Sequence, residues 1–522
     1  MSPISRRTLV FGGLAAAGAG ALPATRPAIR PATAQTSVIT ATAAVPYPFQ
    51  LGIASGEPDA NSVVLWTRLA PSPLNADGQG GMANADVPVD WQVSTTDTFS
   101  TLVASGTVTA SYAAAHSVHV IAGGLNPDSD YYYRFRAQGF ISPVGRTRTA
   151  PAIGTNGRNL LMAFTSCSHY EEGYFTVYRR MAEDNPGLIL HVGDYIYEYG
   201  ATSGRPRLYA GTTEIVTLAD YRRRYAQHKT DPDLQAAHAA APWIVVPDDH
   251  EVENNYANMV RADSTPSLTT AQWTARRTAA YQAYYENMPL RPAQANNGNS
   301  IPLYRRLRWG SLAVFHMLDT RQYRDDQACG DGWKVCSDAD LASRSLPGNA
   351  QETWLLDGFN QHLATWDIIG QQVFFARRFN STGASMDSWD GYRASRARIQ
   401  QGWVDRGTRN PVVLTGDVHR AWASDLKADY NNASSATIGS ELVSSSVTSG
   451  GDGDGATTIP DVGTNPWLKF YNNRRGYVRT TISPTQLQAD FRAVAKVTEH
   501  GAAATTVKSF VIEDGRPGLQ AV

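Results

Sequence analysis

The chain has 522 residues, 42% hydrophobic and 18% charged, the balance of a soluble globular protein and too long for one ordinary core. Its 46 basic and 47 acidic residues leave a formal net charge of −1, which excludes the cationic surface that nucleic acid demands. One large domain with a smaller one beside it is the expectation.

Ser5-Arg6-Arg7-Thr8-Leu9-Val10 precedes the mildly apolar FGGLAAAGAGAL, and Ala32-Thr33-Ala34 offers small residues for cleavage before Gln35. Residues 1–34 therefore read as a twin-arginine signal peptide. The apolar run is too short and too weakly hydrophobic for a membrane anchor, and the rest of the chain has no other long apolar run, so no transmembrane segment is expected in the mature chain. Removing Arg6, Arg7, Arg26 and Arg30 with the leader leaves 42 basic against 47 acidic residues, a net −5. The expected export partner is the twin-arginine translocon, and the expected location periplasmic or extracellular. That route carries folded proteins, which suits a protein that loads metal inside the cell.

Residues 46–149 alternate apolar with polar in SVVLWTRLA, VDWQVSTT, HSVHVIAG and DYYYRFRA, with Gly, Pro, Asn and Asp between. An all-β, immunoglobulin-like sandwich of about 100 residues fits this pattern. APAIGTNG, residues 150–157, reads as a linker. From residue 158 to about 512, short apolar runs alternate with helical stretches such as LADYRRRYAQHK and ARRTAAYQAYYENM. Such runs are strands covered on both faces, so the larger domain is predicted to be a layered α/β fold. The last hundred residues alternate again and predict a more antiparallel second sheet.

The residues just beyond the apolar runs carry the chemistry. LLMAF leads to Cys167, LILHV to Asp194 and Tyr197, WIVV to Asp248, Asp249 and His250, LAVFHML to Asp319 and Arg321, and VVL to Asp417 and His419. Ligands of open α/β sheets gather at the carboxyl ends of strands. Carboxylates crowded there repel one another unless a multivalent cation neutralises them. Each residue taken alone has a plainer reading: a lone GD is a turn, Asp248 and Asp249 could cap a helix, and His316 inside an apolar run is a core histidine. Five polar strand ends together point to metal. Phenolate and thiolate suit Fe(III), the all-oxygen part suits Ca²⁺, Mg²⁺ or Mn²⁺, and Asp194 has two oxygens with which to bridge. Of three cysteines, Cys329 and Cys336 bracket CGDGWKVC and read as a local disulfide.

TSCSH (165–169), GDYIYEYG (193–200), DDHEVENNY (248–256), LDTRQYRDD (318–326), WDGY (389–392) and TGDVH (415–419) together resemble the PhoD-like alkaline phosphatases, metal-dependent relatives of purple acid phosphatases. FQLGIASGEPDANSVVLWTRL (49–69) is similar to that family's N-terminal β domain. The resemblance implies a four-layer α/β/β/α sandwich behind an immunoglobulin-like domain. It implies Fe³⁺ held by Cys167, Asp194, Tyr197 and His419, with Ca²⁺ beside it on Asp249 and Asp417, and Asp248 as a further ligand. Asp417 stands where relatives carry histidine, and Pro247 where a large residue is expected. His250 would protonate the leaving alcohol, and Arg321 and Arg324 would each either clamp phosphate or serve a surface or structural pairing. The implied activity is phosphomonoester hydrolysis at alkaline pH, on small-molecule phosphate esters. The alternative is a phosphodiesterase or phospholipase D-type hydrolase acting through the same centre, which adds phospholipids to the substrates. A non-enzymatic binding protein and a tyrosinate–iron redox enzyme are the readings from other classes.

Overall fold

The computed structural model describes residues 46–262, 267–432 and 434–522; the expected leader lies outside them. Two mixed sheets form the framework. The first has ten strands, in the order Arg516–Ala521, Ala504–Glu513, Gln486–Val494, Gly476–Ile482, Leu160–Thr165, Leu188–Val192, Pro242–Val246, Ile53–Gly56, Ser62–Arg68, Ser117–Gly123. The second has seven: Arg305–Trp309, Ala313–Met317, Trp366–Gly370, Pro411–Thr415, Thr437–Val443, Ala421–Lys427, Leu468–Asn472. The middle of each sheet is parallel. These central strands are the continuous apolar runs, and every residue of Leu188–Val192, Pro242–Val246, Ala313–Met317 and Pro411–Thr415 is buried.

Met162, Phe164, Leu190 and Ile244 of the first sheet share one apolar core with Phe315, Ile368, Val412 and Leu442 of the second. On its other face, the first sheet packs Ala163, Ile189 and Trp243 against Tyr178, Tyr221, Tyr225, Tyr281 and Tyr284 of helices. The second packs Ile369, Val413 and Val443 against Leu355, Ile399 and Trp403. Alternate residues of each strand thus face different cores, as the two-residue period requires. Helices Leu218–Lys229 and Thr270–Asn287 both start on capping boxes, Thr217 with Asp220 and Thr269 with Gln272, which satisfy otherwise orphaned N–H groups.

Two sequence expectations meet corrections here. Of the C-terminal strands, those from Gly476 on build no separate sheet; they extend the first, Gly476–Ile482 pairing antiparallel with Leu160–Thr165 so that Val478 faces Phe164. Nor do residues 46–149 stand apart. Val87–Ser94, Leu102–Ala110, Asp130–Ala137, Phe140–Ile141 and Gly145–Arg148 make a five-stranded sheet that shares a core with Val63, Leu65, Val118 and Val120. The opposing strands, however, belong to the ten-stranded sheet: Ser55 pairs in parallel with Pro242, and Gly56 with Trp243. The parallel strand Pro242–Val246 would otherwise end the sheet as an unpaired edge.

Cys329 and Cys336 are joined, closing a loop whose strand Trp333–Lys334 pairs with Ala384–Ser385. Among the described residues no helix is long and apolar enough to cross a membrane.

Candidate metal centre

The carboxyl ends of the parallel strands deliver their polar loops to one place. Ligand atoms of Cys167, Asp194 and His419 lie within 4.8 Å of one another, as do those of Asp194, Asp249 and His250, and of Asp248, Asp249 and Asp417. Asp194 and Asp249 each belong to two groups, so the donors form a continuous row. Tyr197 joins its first end: the phenol donates to Asp194 Oδ2 at 3.0 Å, sits 3.1 Å from His419 Nε2 and accepts from Ser449 Oγ at 2.7 Å. One end of the row carries sulfur, nitrogen and phenol; the other carries only carboxylate oxygen.

The backbone is bent to achieve this. Cys167, Asp194, Asp417 and His419 all hold left-handed conformations, with φ of 62°, 55°, 62° and 56°. Each such residue costs on the order of 1–3 kcal/mol and persists only where its surroundings over-determine it. They do so here. Cys167 N–H donates to Gly193 O at 3.0 Å and Ser168 N–H to Asp194 O at 2.8 Å. The buried Glu251 carboxylate accepts from the backbone N–H of Asp194, Tyr195, Ile196 and Asp248 at 2.5–3.3 Å, locking two loops together. Gly193 turns at φ 109°, and a Cβ there would lie 2.4 Å from Asp248 Cβ, so only glycine permits the approach.

Cations fit this donor set. Asp194 Oδ1, Asp248 Oδ2 and Asp249 Oδ1 are buried without a hydrogen-bond partner. Burial, reinforced by neighbouring carboxylates, pushes Asp417 and the Cys167 thiol well above their ordinary values, and the Tyr197 phenol likewise through burial and Asp194. Burial pushes Asp194 up too, against the help of His250 and with Asp249 and Asp248 adding to the rise, and carries Asp248 to about 7. Asp249 is the exception: burial would raise it, but Arg321 and His250 bring it below the usual carboxylate range. A row of anions this unfavourable becomes favourable once multivalent cations lie between the donors.

His250 sits beside the row. Its Nδ1 is 2.7 Å from Glu198 Oε2, and its ring lies 4.1 Å from that of Tyr197, tilted by 32°. Burial would lower its pKa, but Glu198, Asp249 and Asp194 lift it well above the ordinary histidine value. Nδ1 is engaged by Glu198, which leaves Nε2 as the nitrogen able to exchange a proton.

For Arg321 and Arg324 the sequence left a phosphate clamp and a structural pairing open, and the structure shows the pairing. Both are fully buried. Arg321 donates to Asp248 Oδ1 at 2.5 Å and to both Asp387 oxygens at 2.8 and 2.9 Å; Arg324 donates to Asp387 Oδ1 at 2.5 Å. Their guanidiniums are occupied by carboxylates: Arg321 holds Asp248, and Arg324 helps hold the Asp387 that Arg321 also bonds. Glu198, Glu251 and Ser449 lie inside or beside the site motifs, yet nothing in their spacing marked their roles. Asp387 precedes WDGY, and only the three-dimensional pairing reveals it. His316 is the satisfied core residue expected, between Arg306 Nε and Asp367 Oδ1, each at 3.0 Å.

Convergent carboxylates, a thiol, a phenol and an imidazole at the strand ends of two stacked sheets define a metal-dependent phosphoric ester hydrolase. The PhoD-like phosphatase family matches residues 162–491, and its N-terminal domain family matches residues 32–151. The chain is 48% identical over 488 residues to alkaline phosphatase D of Bacillus subtilis, covering 91% of this chain and 82% of that protein. A solved structure of PhoD superposes with a TM-score of 0.87 at 48% identity, covering 91% of this chain and 92% of the other. A purple acid phosphatase from yellow lupin seeds shares the fold alone, with a TM-score of 0.56 at 12% identity over 90% of this chain and 74% of its own. The chain belongs to the PhoD-like phosphatase family.

Proposed function

We propose that the chain is an exported alkaline phosphatase that releases inorganic phosphate from small phosphate monoesters, with Fe³⁺ and Ca²⁺ as its cofactors. The observation that carries this is the graded row of donors. Cys167, Tyr197, His419 and Asp194 would hold the iron; Asp194, Asp248, Asp249 and Asp417 would hold calcium. Such cations, when bound, neutralise phosphoryl oxygens and make water acidic enough to act as nucleophile at mild pH. The protein's own groups do the rest. Arg321 and Asp387 hold Asp248 in register, Ser449 holds the Tyr197 oxygen, and His250, charged and oriented by Glu198, delivers a proton to the departing alcohol.

The core clusters support reading the two sheets and their outer helices as the family's four layers. The N-terminal strands support an immunoglobulin-like sandwich with one fused face. The Arg6-Arg7 leader supports twin-arginine export to the periplasm or beyond.

Natively exported protein, analysed for elements and assayed with 4-nitrophenyl phosphate and bis(4-nitrophenyl) phosphate, tests the proposal. Iron and calcium with faster monoester cleavage are expected. Faster bis-ester cleavage reassigns the enzyme as a diesterase, and metal-replete protein that frees no phosphate refutes it. Iron bound to Tyr197 also predicts a visible absorption band that Tyr197→Phe abolishes.

A further inference from the structure

Arg378 lies in the segment that continues from strand Trp366–Gly370, on the same edge as the metal centre. Gly416 N–H donates to Gln372 O at 2.9 Å, and Gln371 Nε2 to Thr415 Oγ1 at 2.7 Å, so this segment and the loop carrying Asp417 and His419 are bonded side by side. The half-buried Arg378 guanidinium is caged by three rings, its Cζ 4.6 Å from the centre of Phe374, 5.0 Å from Trp333 and 5.2 Å from Trp422. Trp333 stands on the disulfide-closed loop. That loop is anchored to the site through Asp331, which accepts from Asn255 Nδ2 at 2.7 Å, while Asn255 N–H donates to Asp249 Oδ2 at 2.6 Å.

Aromatic faces attract the flat sides of a guanidinium but leave its N–H edge without acceptors. Among the described residues the Arg378 side chain has neither hydrogen bond nor ion pair, unlike the buried Arg321, Arg324 and Arg396, each held by a carboxylate. Burial holds its pKa below the ordinary arginine value; Asp390, Asp417 and Glu441 are close enough to support the charge, and Arg420 opposes it. Arg420, directly after His419, is exposed and makes no side-chain hydrogen bond or ion pair among the described residues, with Asp454 close enough to feel its charge. Trp422, one of the rings around Arg378, follows Arg420 by two residues, so both guanidiniums belong to the edge that carries the cation ligands.

We propose that Arg378 and Arg420 form an anion-docking site at the mouth of the metal centre. It takes a second negative group, a carboxylate or another phosphoryl, carried on the alcohol part of the ester. This rests on the phosphatase function proposed for the metal centre. The preferred substrates are then esters bearing a second anion.

Glycerol 3-phosphate and 3-phosphoglycerate differ by one carboxylate and test the site on the metal-loaded full chain. The ratio of kcat/KM should favour 3-phosphoglycerate by about tenfold, the low end of what a charge-assisted hydrogen bond supplies. Arg378→Gln should bring the ratio to near one, Arg378→Lys should keep part of it, and Arg420→Gln should lower it severalfold. A ratio near one in the natural chain, or a ratio unmoved by Arg378→Gln, overturns the proposal. Should Arg378→Gln fail to fold, Arg420→Gln decides, since Arg420 is exposed; an unmoved ratio there overturns the paired site. If neither ester is cleaved, the phosphatase reading fails, and calorimetric titration with the same two esters still judges the docking site. Tighter binding of 3-phosphoglycerate that the arginine variants abolish supports it, and equal binding refutes it.

Discussion

At the scale of single residues, the proposed roles separate groups that would hold ions from groups that would move or place protons. His250→Ala takes away the proposed proton donor and leaves the proposed ligands Cys167, Asp194, Tyr197 and His419 in place. Its expected effect is a loss of about 10²–10⁴-fold in kcat with metal content retained, read by rate and elemental analysis on the same sample. Loss of metal along with activity would show that His250 is a ligand. Asp387 is a different case. Burial alone would raise its pKa, but Arg321 and Arg324 draw it well below the usual carboxylate range. A depressed folded-state pKa contributes stability that is fully present above the ordinary carboxylate pKa and disappears as pH falls through the lower folded value. Melting temperature measured from pH 7 into acid should therefore fall in the natural chain. Asp387→Asn should melt lower at neutral pH and show a flatter acid slope; parallel curves would remove Asp387 from the account.

At the scale of elements, three strands of the parallel core run into left-handed turns, at Cys167, at Gly193 and Asp194, and at Asp417 and His419. Gly193→Ala sets a Cβ 2.4 Å from that of Asp248 and penalises φ 109°. Expected are a loss of stability of about 1–3 kcal/mol and a larger loss of bound metal, measured by denaturant unfolding and elemental analysis. Full metal content in this variant would show that the two loops separate without cost.

The strand ends were the most legible part of the sequence, because an apolar run that stops at Asp or Cys reports both a buried strand and an outward turn. The pairing of strands was less legible. Nothing local in GYVRTTIS says that it lies against LLMAF and not in another sheet, since alternation encodes a face and not a neighbour. Arg321 and Arg324 were ambiguous for a related reason: an arginine after a strand reads the same whether it meets phosphate or the buried Asp387. The supporting carboxylates Glu198 and Glu251 were in view but mute, as accepting backbone N–H groups needs no spacing.

At the scale of the whole molecule, the N-terminal strands and the large domain share one sheet. Trp66 Nε1 donates to Glu286 O at 2.9 Å, and Arg68, fully buried, reaches Gly78 O, Ala115 O and Arg222 O. A fragment beginning at residue 158 should thus fail to fold, giving an aggregated or molten product by gel filtration and near-ultraviolet circular dichroism; a monomeric, ion-binding fragment would contradict the fusion. Chelation should lower the melting temperature, and restored ions should raise it in proportion to the logarithm of their concentration.

Leu160–Thr165, near the middle of the ten-stranded sheet, lies between Leu188–Val192 and Gly476–Ile482. The first of these partners comes soon after it in translation, whereas the other emerges from the ribosome only after most of the polypeptide has been made. His419 and Ser449 are also late arrivals beside Cys167. A nascent chain therefore has no finished cage to offer, and ions enter a protein whose synthesis is essentially complete.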